Sequence, residues 1–387
     1  MIKVDLIYSN YLNSPDGASR FVKTMKGQKD MFAKYGIDLR VITPDLFSHK
    51  EFKDGSVAQP SALKRVIRTL SKYSVAVTKT RIMRSYSIPA NHIIEYYEQM
   101  EDKGSVIAFQ EGFTAYNFLK RRKKTAPKVL LTLHGNGEIW TMLALSMPRI
   151  NSILMKGFRE DFEHTLFGGC DRIGFVADAS RRHFCSLYPY EDNNTYYCYN
   201  GVEAKPIPVR VKSDTLDLVC VGSVNERKNQ LGVLNAIGKL PDDIQKRITF
   251  RIVGDGTAMP LLKKKAKELS SKIVFVGNSD EVDKHLQEAN CFVLFSKDEG
   301  LPISIIEGMR SGLPVIGTKI AGIPEQILDG KTGFLVDVDE QQLADRLRFL
   351  VDHLDELEAM GKASYELFVE KFTLEAMVKK YAKIYKG

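Results

Sequence analysis

The chain has 387 residues, 44% hydrophobic and 27% charged, the length of two or three domains and the composition of a folded chain with a large core. Its formal net charge of +8 sits in one half: residues 1–205 hold 30 Lys/Arg against 21 Asp/Glu, and residues 206–387 hold 26 against 27. Composition excludes a disordered or fibrous chain, no run reaches the roughly 18 consecutive apolar residues of a spanning helix, and the opening MIKVDLIYSN reads as a strand without a signal-peptide pattern.

Apolar, β-branched runs alternate with helical patterns from the first residues onward. In the first half the strand-like runs are 2–8, 38–43, 105–110, 129–135, 172–177 and 195–200. The first is followed by SPDGASR (14–20), a loop with Gly17 and Arg20 that lacks the G-x-G-x-x-G dinucleotide fingerprint. A helical segment comes next, in which Phe21, Met25, Met31, Phe32 and Tyr35 line an apolar side. Residues 62–85 carry seven basic residues and no acid. There Leu63, Val66, Ile67 and Leu70 fall at helical spacing beside Lys64, Arg65, Arg68 and Lys72. A helix packed on its own domain shares this pattern with a basic amphipathic helix lying in a bilayer interface. KRRKK (120–124) is a second basic run, and the two runs form either a solvated face or a seat for an anionic membrane surface or phosphates. The strand at 129–135 leads into HGN, where His134 suits proton traffic or phosphate contact, although a lone strand-end histidine is more often structural.

The pattern breaks at NGVEAKPIPVRVKSD (200–214), a linker with two prolines, and resumes with runs 216–223, 248–254, 273–277, 291–296, 314–318 and 333–337. Uninterrupted apolar strands alternating with helices indicate parallel sheets covered on both faces. The predicted fold class is therefore α/β, with two doubly wound Rossmann-like domains, 1–205 and 206–371, facing a central cleft. Residues 372–387 form an amphipathic helix with Leu374, Met377, Val378, Tyr381 and Ile384 on one side. The five cysteines, Cys170, Cys185, Cys198, Cys220 and Cys291, show no C-x-x-C spacing. That argues against disulfides and structural zinc and for a reducing cytoplasm.

Two segments of the second half carry chemistry. CVGSVNERKNQLGVLNAI (220–237) runs from strand through loop to helix. Gly222 admits close approach, Arg227 and Lys228 reach the mouth of the cleft, and Asn229 is placed to cap the following helix, so cations and a helix N-terminus converge as they do around phosphate. It is not a P-loop, because no G-x-x-x-x-G-K-[ST] occurs in it. In DEGLPISIIEGMRSGLPVIGT (298–318), Pro302 suits the first turn of a helix, and Gly312 with Pro314 stops it. Glu299 then sits before the helix and Glu307 within it. The two carboxylates suit different parts of one polyhydroxylated ligand, with helix N–H groups between them for phosphate. Paired carboxylates also serve glycoside hydrolysis or metal binding, but no histidine completes a metal site there. No G-x-S-x-G elbow or H-E-x-x-H pattern occurs.

Together these segments resemble the retaining, nucleotide-sugar-dependent glycosyltransferases of family 4, which have the GT-B fold. The resemblance covers nearly the whole chain and is most specific in the E-x7-E spacing of Glu299 and Glu307, within EGLPISIIEGMRSGLPVIGTKIAGIPEQILDGKTGFLV. YNGVE, RIVGDGT (251–257), VFVG (274–277) and HGN support it. The resemblance implies that Glu299 faces the donor sugar hydroxyls, that the backbone of Gly300, Leu301, Pro302 and Ile303 contacts sugar and diphosphate, and that Glu307 holds the ribose hydroxyls. Lys228 with Arg227 would neutralise the diphosphate, Gly17, Gly222, Ser223 and Gly277 would line the donor site, and His134 would sit near the reacting sugar. Many members carry Arg where this chain has Ser223, and Arg227 beside Lys228 is the compensating cation. The terminal helix 372–387 is expected to cross back onto the first domain.

The resemblance further implies a metal-independent enzyme without a cofactor, in which cations and helix dipoles stabilise the departing phosphate and the acceptor attacks from the front face. It would move a hexose or N-acetylhexosamine from a nucleotide-diphosphate sugar, a UDP-sugar first, to a glycan or polyprenyl-diphosphate-linked acceptor in surface polysaccharide biosynthesis. The expected setting is cytoplasmic and peripheral at the inner membrane face, with no nucleic-acid partner. GEIWTMLALSMPRI (137–150) matches no part of the family pattern. Two other readings keep the fold: a nucleotide-sugar epimerase or phosphorylase, and a catalytically inactive sugar-nucleotide-binding subunit.

Overall fold

Strands covered on both faces favour apolar residues, and most positions of the twelve strands among the described residues are apolar, with polar exceptions such as Asp5, Arg40 and Arg251. All twelve predicted runs form strands. The computed structural model describes residues 1–14, 17–47, 62–122, 127–188, 190, 192–210 and 213–387. They divide into two units, Met1–Cys198 with Val378–Gly387, and Tyr199–Met377.

The first unit holds β1 (Ile2–Ile7), β2 (Ile37–Ile42), β3 (Val106–Phe109), β4 (Lys128–Leu133), β5 (Arg172–Phe175) and β6 (Thr195–Tyr197). They form one parallel sheet in the order β2-β1-β3-β4-β5-β6. Helices cover its faces through Phe21, Val22, Met25, Ile93, Ile94, Phe118, Phe162 and Phe184, all buried. One polar group is built into this sheet. Asp5, fully buried on β1, accepts from Arg40 Nε at 2.8 Å, Tyr97 Oη at 2.9 Å and the Gly104 amide at 2.6 Å. Its charge is thus paired and hydrogen-bonded, as a buried carboxylate requires.

The second unit holds β7 (Leu216–Val221), β8 (Ile248–Val253), β9 (Lys272–Gly277), β10 (Cys291–Leu294), β11 (Val315–Thr318) and β12 (Gly333–Val336). Their order is β12-β11-β10-β7-β8-β9, again all parallel. The sheet grows from β7 in one direction through β8 and β9, then restarts on its other side with β10. That reversal defines a topological switch point between β7 and β10, where ligands of doubly wound sheets bind.

The division falls at Cys198/Tyr199 and not at 205/206, because the residues after it are anchored in the second unit. Asn200 Nδ2 donates to Leu301 O at 3.0 Å, and the Val202 amide donates to Phe372 O at 3.0 Å. Residues 211 and 212 of the predicted linker lie outside the described residues. The terminal helix Leu374–Lys386 passes from one unit to the other, its residues from Val378 onward belonging to the first. There Tyr381 packs 5.7 Å from the Phe21 ring and Tyr385 6.1 Å from Phe32. All five cysteines are free thiols.

Candidate active site

The loops after β7 and β10 meet at the switch point. Gly222 ends β7 in a left-handed conformation (φ +144°), and Gly254, after β8, abuts it so closely that a Cβ there would stand 2.1 Å from Gly222 O. Gly277, at the end of β9, completes this rim by accepting from the Gly254 amide at 2.7 Å. The β7 loop is ordered by its own amides. Asn225 Oδ1 accepts from the Lys228 amide at 2.9 Å, Asn225 Nδ2 donates to Ser223 Oγ at 2.9 Å, and buried Gln230 donates to Ser223 O at 3.0 Å. Asn229 occupies the position before the helix Gln230–Gly238, but its side chain makes no capping bond. Its left-handed backbone (φ 53°) turns the chain into the helix instead, which corrects the predicted role.

From this loop Lys228 and Arg227 reach across to Glu299 in the β10 loop. Lys228 Nζ lies 2.7 Å and Arg227 Nη1 3.1 Å from the same oxygen, Glu299 Oε1. Lys228 lies at charge-assisted hydrogen-bond distance, and the two cations together neutralise Oε1. The two loops are also tied by backbone: Arg227 Nη1 donates to Asp298 O at 2.7 Å and the Lys297 amide to Arg227 O at 2.8 Å. Burial of Glu299, 7% exposed, pushes its pKa up; the charges of Lys228 and then Arg227 outweigh burial and hold the carboxyl below the ordinary glutamate range.

Beyond Glu299 the chain enters the helix Ile303–Arg310, with Pro302 just ahead of it in extended conformation. The three preceding carbonyls are all occupied. Gly300 O accepts from the Gly322 amide at 2.9 Å, Leu301 O from Asn200, and Pro302 O from buried Gln326 at 3.1 Å. The first helical amides, Ile303 and Ser304, have no intrahelical acceptor by geometry. The segment therefore presents donors, beside two cations. Glu307 lies half-buried in the same helix, one turn on. Among the described residues no group of three or more His, Cys, Asp and Glu side chains could hold a metal ion.

Residues 215–353, which contain this whole cluster, match the family model described as Glycosyl transferases group 1. The chain is 26% identical over 266 residues to N-acetyl-alpha-D-glucosaminyl L-malate synthase of Bacillus anthracis, covering 67% of each. It is 25% identical over 295 residues to the GDP-mannose-dependent alpha-(1-6)-phosphatidylinositol monomannoside mannosyltransferase of Mycobacterium tuberculosis, covering 69% of this chain and 72% of that one. The donor-side cluster therefore lies in a segment similar to the group 1 glycosyl transferases. The chain's fold is GT-B: the structure matches Anabaena HepE, solved in complex with UDP, with a TM-score of 0.68 at 14% identity over the full length of both chains.

The remaining predicted site residues, Gly17 and His134, lie in the first unit. Gly17 opens the helix Gly17–Gly27, and Pro15 and Asp16 of its loop lie outside the described residues. His134 follows β4, its Nε2 3.0 Å from Gln110 Oε1 and its ring 5.0 Å from that of Phe21. Gln110 is 2% exposed and ends β3, next to the first sheet's own switch point between β1 and β3. Its neighbour Glu111 accepts from the Ser9 amide at 3.2 Å and from the Ser9 and Thr114 hydroxyls. Sequence reading passed over Gln110, Glu111, Asn200, Asn225, Gln230 and Gln326. The only available signal was their position just beyond strand ends or in YNGVE and IPEQ.

The two basic runs differ. In KRRKK, Lys120 pairs with Asp161 at 2.6 Å, Arg121 with Glu95 at 3.2 Å, and Arg122 donates to Gly169 O at 2.8 Å. These three are internal ties and not a free basic face; Lys123 and Lys124 lie outside the described residues. The helix Ala62–Leu70 is the opposite case. Leu63, Val66 and Leu70 are 69%, 53% and 48% exposed, beside exposed Arg65 and Arg68. The Lys64 side chain lies outside the described residues. No helix among the described residues is long and apolar enough to cross a membrane.

The Glu299 cluster makes a pH-dependent prediction. Its folded-state pKa is held below the unfolded value of about 4.3, so its stabilisation is complete above that pH and is lost as pH falls through the folded value. Lys228→Met removes the larger opposing charge and lets burial raise the pKa. The variant should lose about 2 kcal/mol at pH 7, less than for a wholly unpaired buried charge because Arg227 remains. Urea unfolding should show this gap shrinking as pH falls from the variant's raised pKa toward the lower folded pKa of the parent chain; a gap that stays constant contradicts the assignment.

Proposed function

We propose that this chain is a glycosyltransferase that moves a hexose or N-acetylhexosamine from a UDP-sugar to a glycan or lipid-linked oligosaccharide acceptor, with retention of configuration and without a metal. The observation that carries the reading is the junction of Glu299 with Lys228 and Arg227 at the β7/β10 switch point, beside a helix start whose preceding carbonyls are all occupied. A diphosphate seated there meets two cations and the free amides of Ile303 and Ser304. As the bond from the sugar C1 to the diphosphate oxygen breaks, negative charge grows on that oxygen, and preorganised cations lower the barrier most at that moment.

Glu299 would accept from a sugar hydroxyl, and Glu307 would accept from the ribose hydroxyls. A carboxylate neutralised by two cations is a weak nucleophile. That favours attack by the acceptor hydroxyl from the face the diphosphate leaves, with no protein–sugar intermediate. The complex of HepE with UDP supports a uridine donor, while the mannosyltransferase relative is GDP-mannose-dependent by name, so the base is tested directly. That same relative acts on a phosphatidylinositol mannoside, which supports a lipid-linked acceptor.

The test is nucleotide release over a panel of nucleotide sugars, with and without acceptor. Lys228→Ala should lower kcat by about 10²-fold or more, as loss of a charge-stabilising donor does. Glu307→Ala should chiefly raise the donor KM. Unchanged turnover in both variants removes the assignment, and conversion of the sugar nucleotide without acceptor would favour an epimerase.

The exposed apolar and basic helix Ala62–Leu70 supports a peripheral seat on an anionic membrane, because a helix packed on its own domain would hide its leucines. Replacing Arg65, Arg68 and Lys72 by Gln should weaken binding to phosphatidylglycerol vesicles by roughly 100-fold, at about 1 kcal/mol per basic residue. Equal vesicle binding before and after substitution would leave the helix as ordinary surface.

A further inference from the structure

Glu299 is an internal anion seated on the two cations proposed to hold a diphosphate. Lys228 Nζ lies 2.7 Å and Arg227 Nη1 3.1 Å from the same carboxylate oxygen, and all three residues belong to the second unit. A ligand oxygen at the usual ~2.8 Å from Lys228 Nζ stands at most about 5.5 Å from that carboxylate oxygen, which is itself 2.7 Å from the nitrogen. Any anion that uses Lys228 therefore meets the Glu299 charge at close range.

The cations do not depend on Glu299 alone for their place. Arg227 Nη1 donates to Asp298 O at 2.7 Å, the Lys297 amide to Arg227 O at 2.8 Å, and the Lys228 amide to Asn225 Oδ1 at 2.9 Å. Removing the carboxylate charge spares those bonds. It leaves the mostly buried Lys228 without this counter-ion, a charge that an incoming phosphate neutralises. At an effective dielectric of about 20, one unit of repulsion across ~5.5 Å corresponds to on the order of 100-fold in affinity.

Donor and product meet this carboxylate differently. In a nucleotide-diphosphate sugar the terminal phosphate is esterified and carries one charge, and sugar hydroxyls are at hand to donate to Glu299. After transfer those hydroxyls are gone. The terminal phosphate then ionises a second time with a pKa of about 6, which brings it close to two charges at pH 7. The same carboxylate thus accepts from the donor and repels the diphosphate left behind.

On the donor-site reading of the Glu299 cluster, which this step requires, we infer that Glu299 is a specificity-determining residue. Its charge weakens the hold on a free nucleotide diphosphate relative to the same nucleotide carrying its sugar. The test is calorimetric titration of the full chain with UDP, UDP-glucose and UDP-N-acetylglucosamine. Glu299→Gln and Glu299→Ala, two charge-free variants of different volume, should each bind UDP at least about tenfold tighter than the parent chain, after solvent screening. Either variant decides the point if the other fails to fold. The gain should be smaller for the better bound of the two sugar nucleotides, and Glu299→Asp, which keeps the charge, should not reproduce it. Lys228→Ala is the control for the donor site itself. If it weakens UDP binding while the charge-free variants bind UDP no tighter than the parent, Glu299 has no such role and the donor site stands. An equal gain for UDP and the sugar nucleotide, or an equal gain in Glu299→Asp, overturns the inference in the same way. UDP binding that Lys228→Ala leaves unchanged overturns the donor-site reading and the role of Glu299 with it.

Discussion

A glutamate that is 7% exposed persists as an anion only if cations reach it, and in the second unit they come from the loop of a different strand. Lys228 and Arg227 leave β7, Glu299 follows β10, and the contact is possible because the strand order makes those two strands neighbours. The ion cluster thus couples fold to chemistry. It fastens the two loops at the switch point and fixes two positive charges beside the carboxylate that precedes the helix Ile303–Arg310. The same proximity couples roles that the family resemblance had kept apart, sugar recognition by Glu299 and diphosphate recognition by the basic pair.

The segment after Glu299 works by a complementary constraint. Carbonyls and amides of an irregular loop compete for whatever approaches, and here the carbonyls of Gly300, Leu301 and Pro302 are taken by Gly322, Asn200 and Gln326. What is left is donor character, reinforced by the start of the helix. Asn200 and Gln326 set that donor character by closing the carbonyls of Leu301 and Pro302. Their burial makes that arrangement costly to lose.

The fold was legible because buried parallel strands write themselves as mainly apolar runs, such as VIAF and GFLV. The E-x7-E pair and the basic βα loop were legible through the turn residues around them, Gly222, Pro302 and Gly312. Legibility failed where a role depends on distant partners. Asn200 and Leu301 are a hundred residues apart, and no local pattern announces that one closes the other's carbonyl. KRRKK looked like a free basic run, yet Lys120 and Arg121 answer acids on other helices. Asn229 has the composition of a cap, but its left-handed backbone gives it another task. The exposure of Leu63, Val66 and Leu70 was likewise undecidable from spacing, since a packed stripe and a bare one have the same period.

The central claim is that the basic pair beside Glu299, with the first amides of the helix after it, holds a diphosphate without help from a metal. Calorimetric titration of the intact chain with UDP and with uridine, each in excess EDTA, tests it most directly. The expected result is UDP binding at least 100-fold tighter than uridine, unchanged by the chelator and weakened by salt. Equal affinity for the two, or UDP binding that disappears with EDTA, would contradict it.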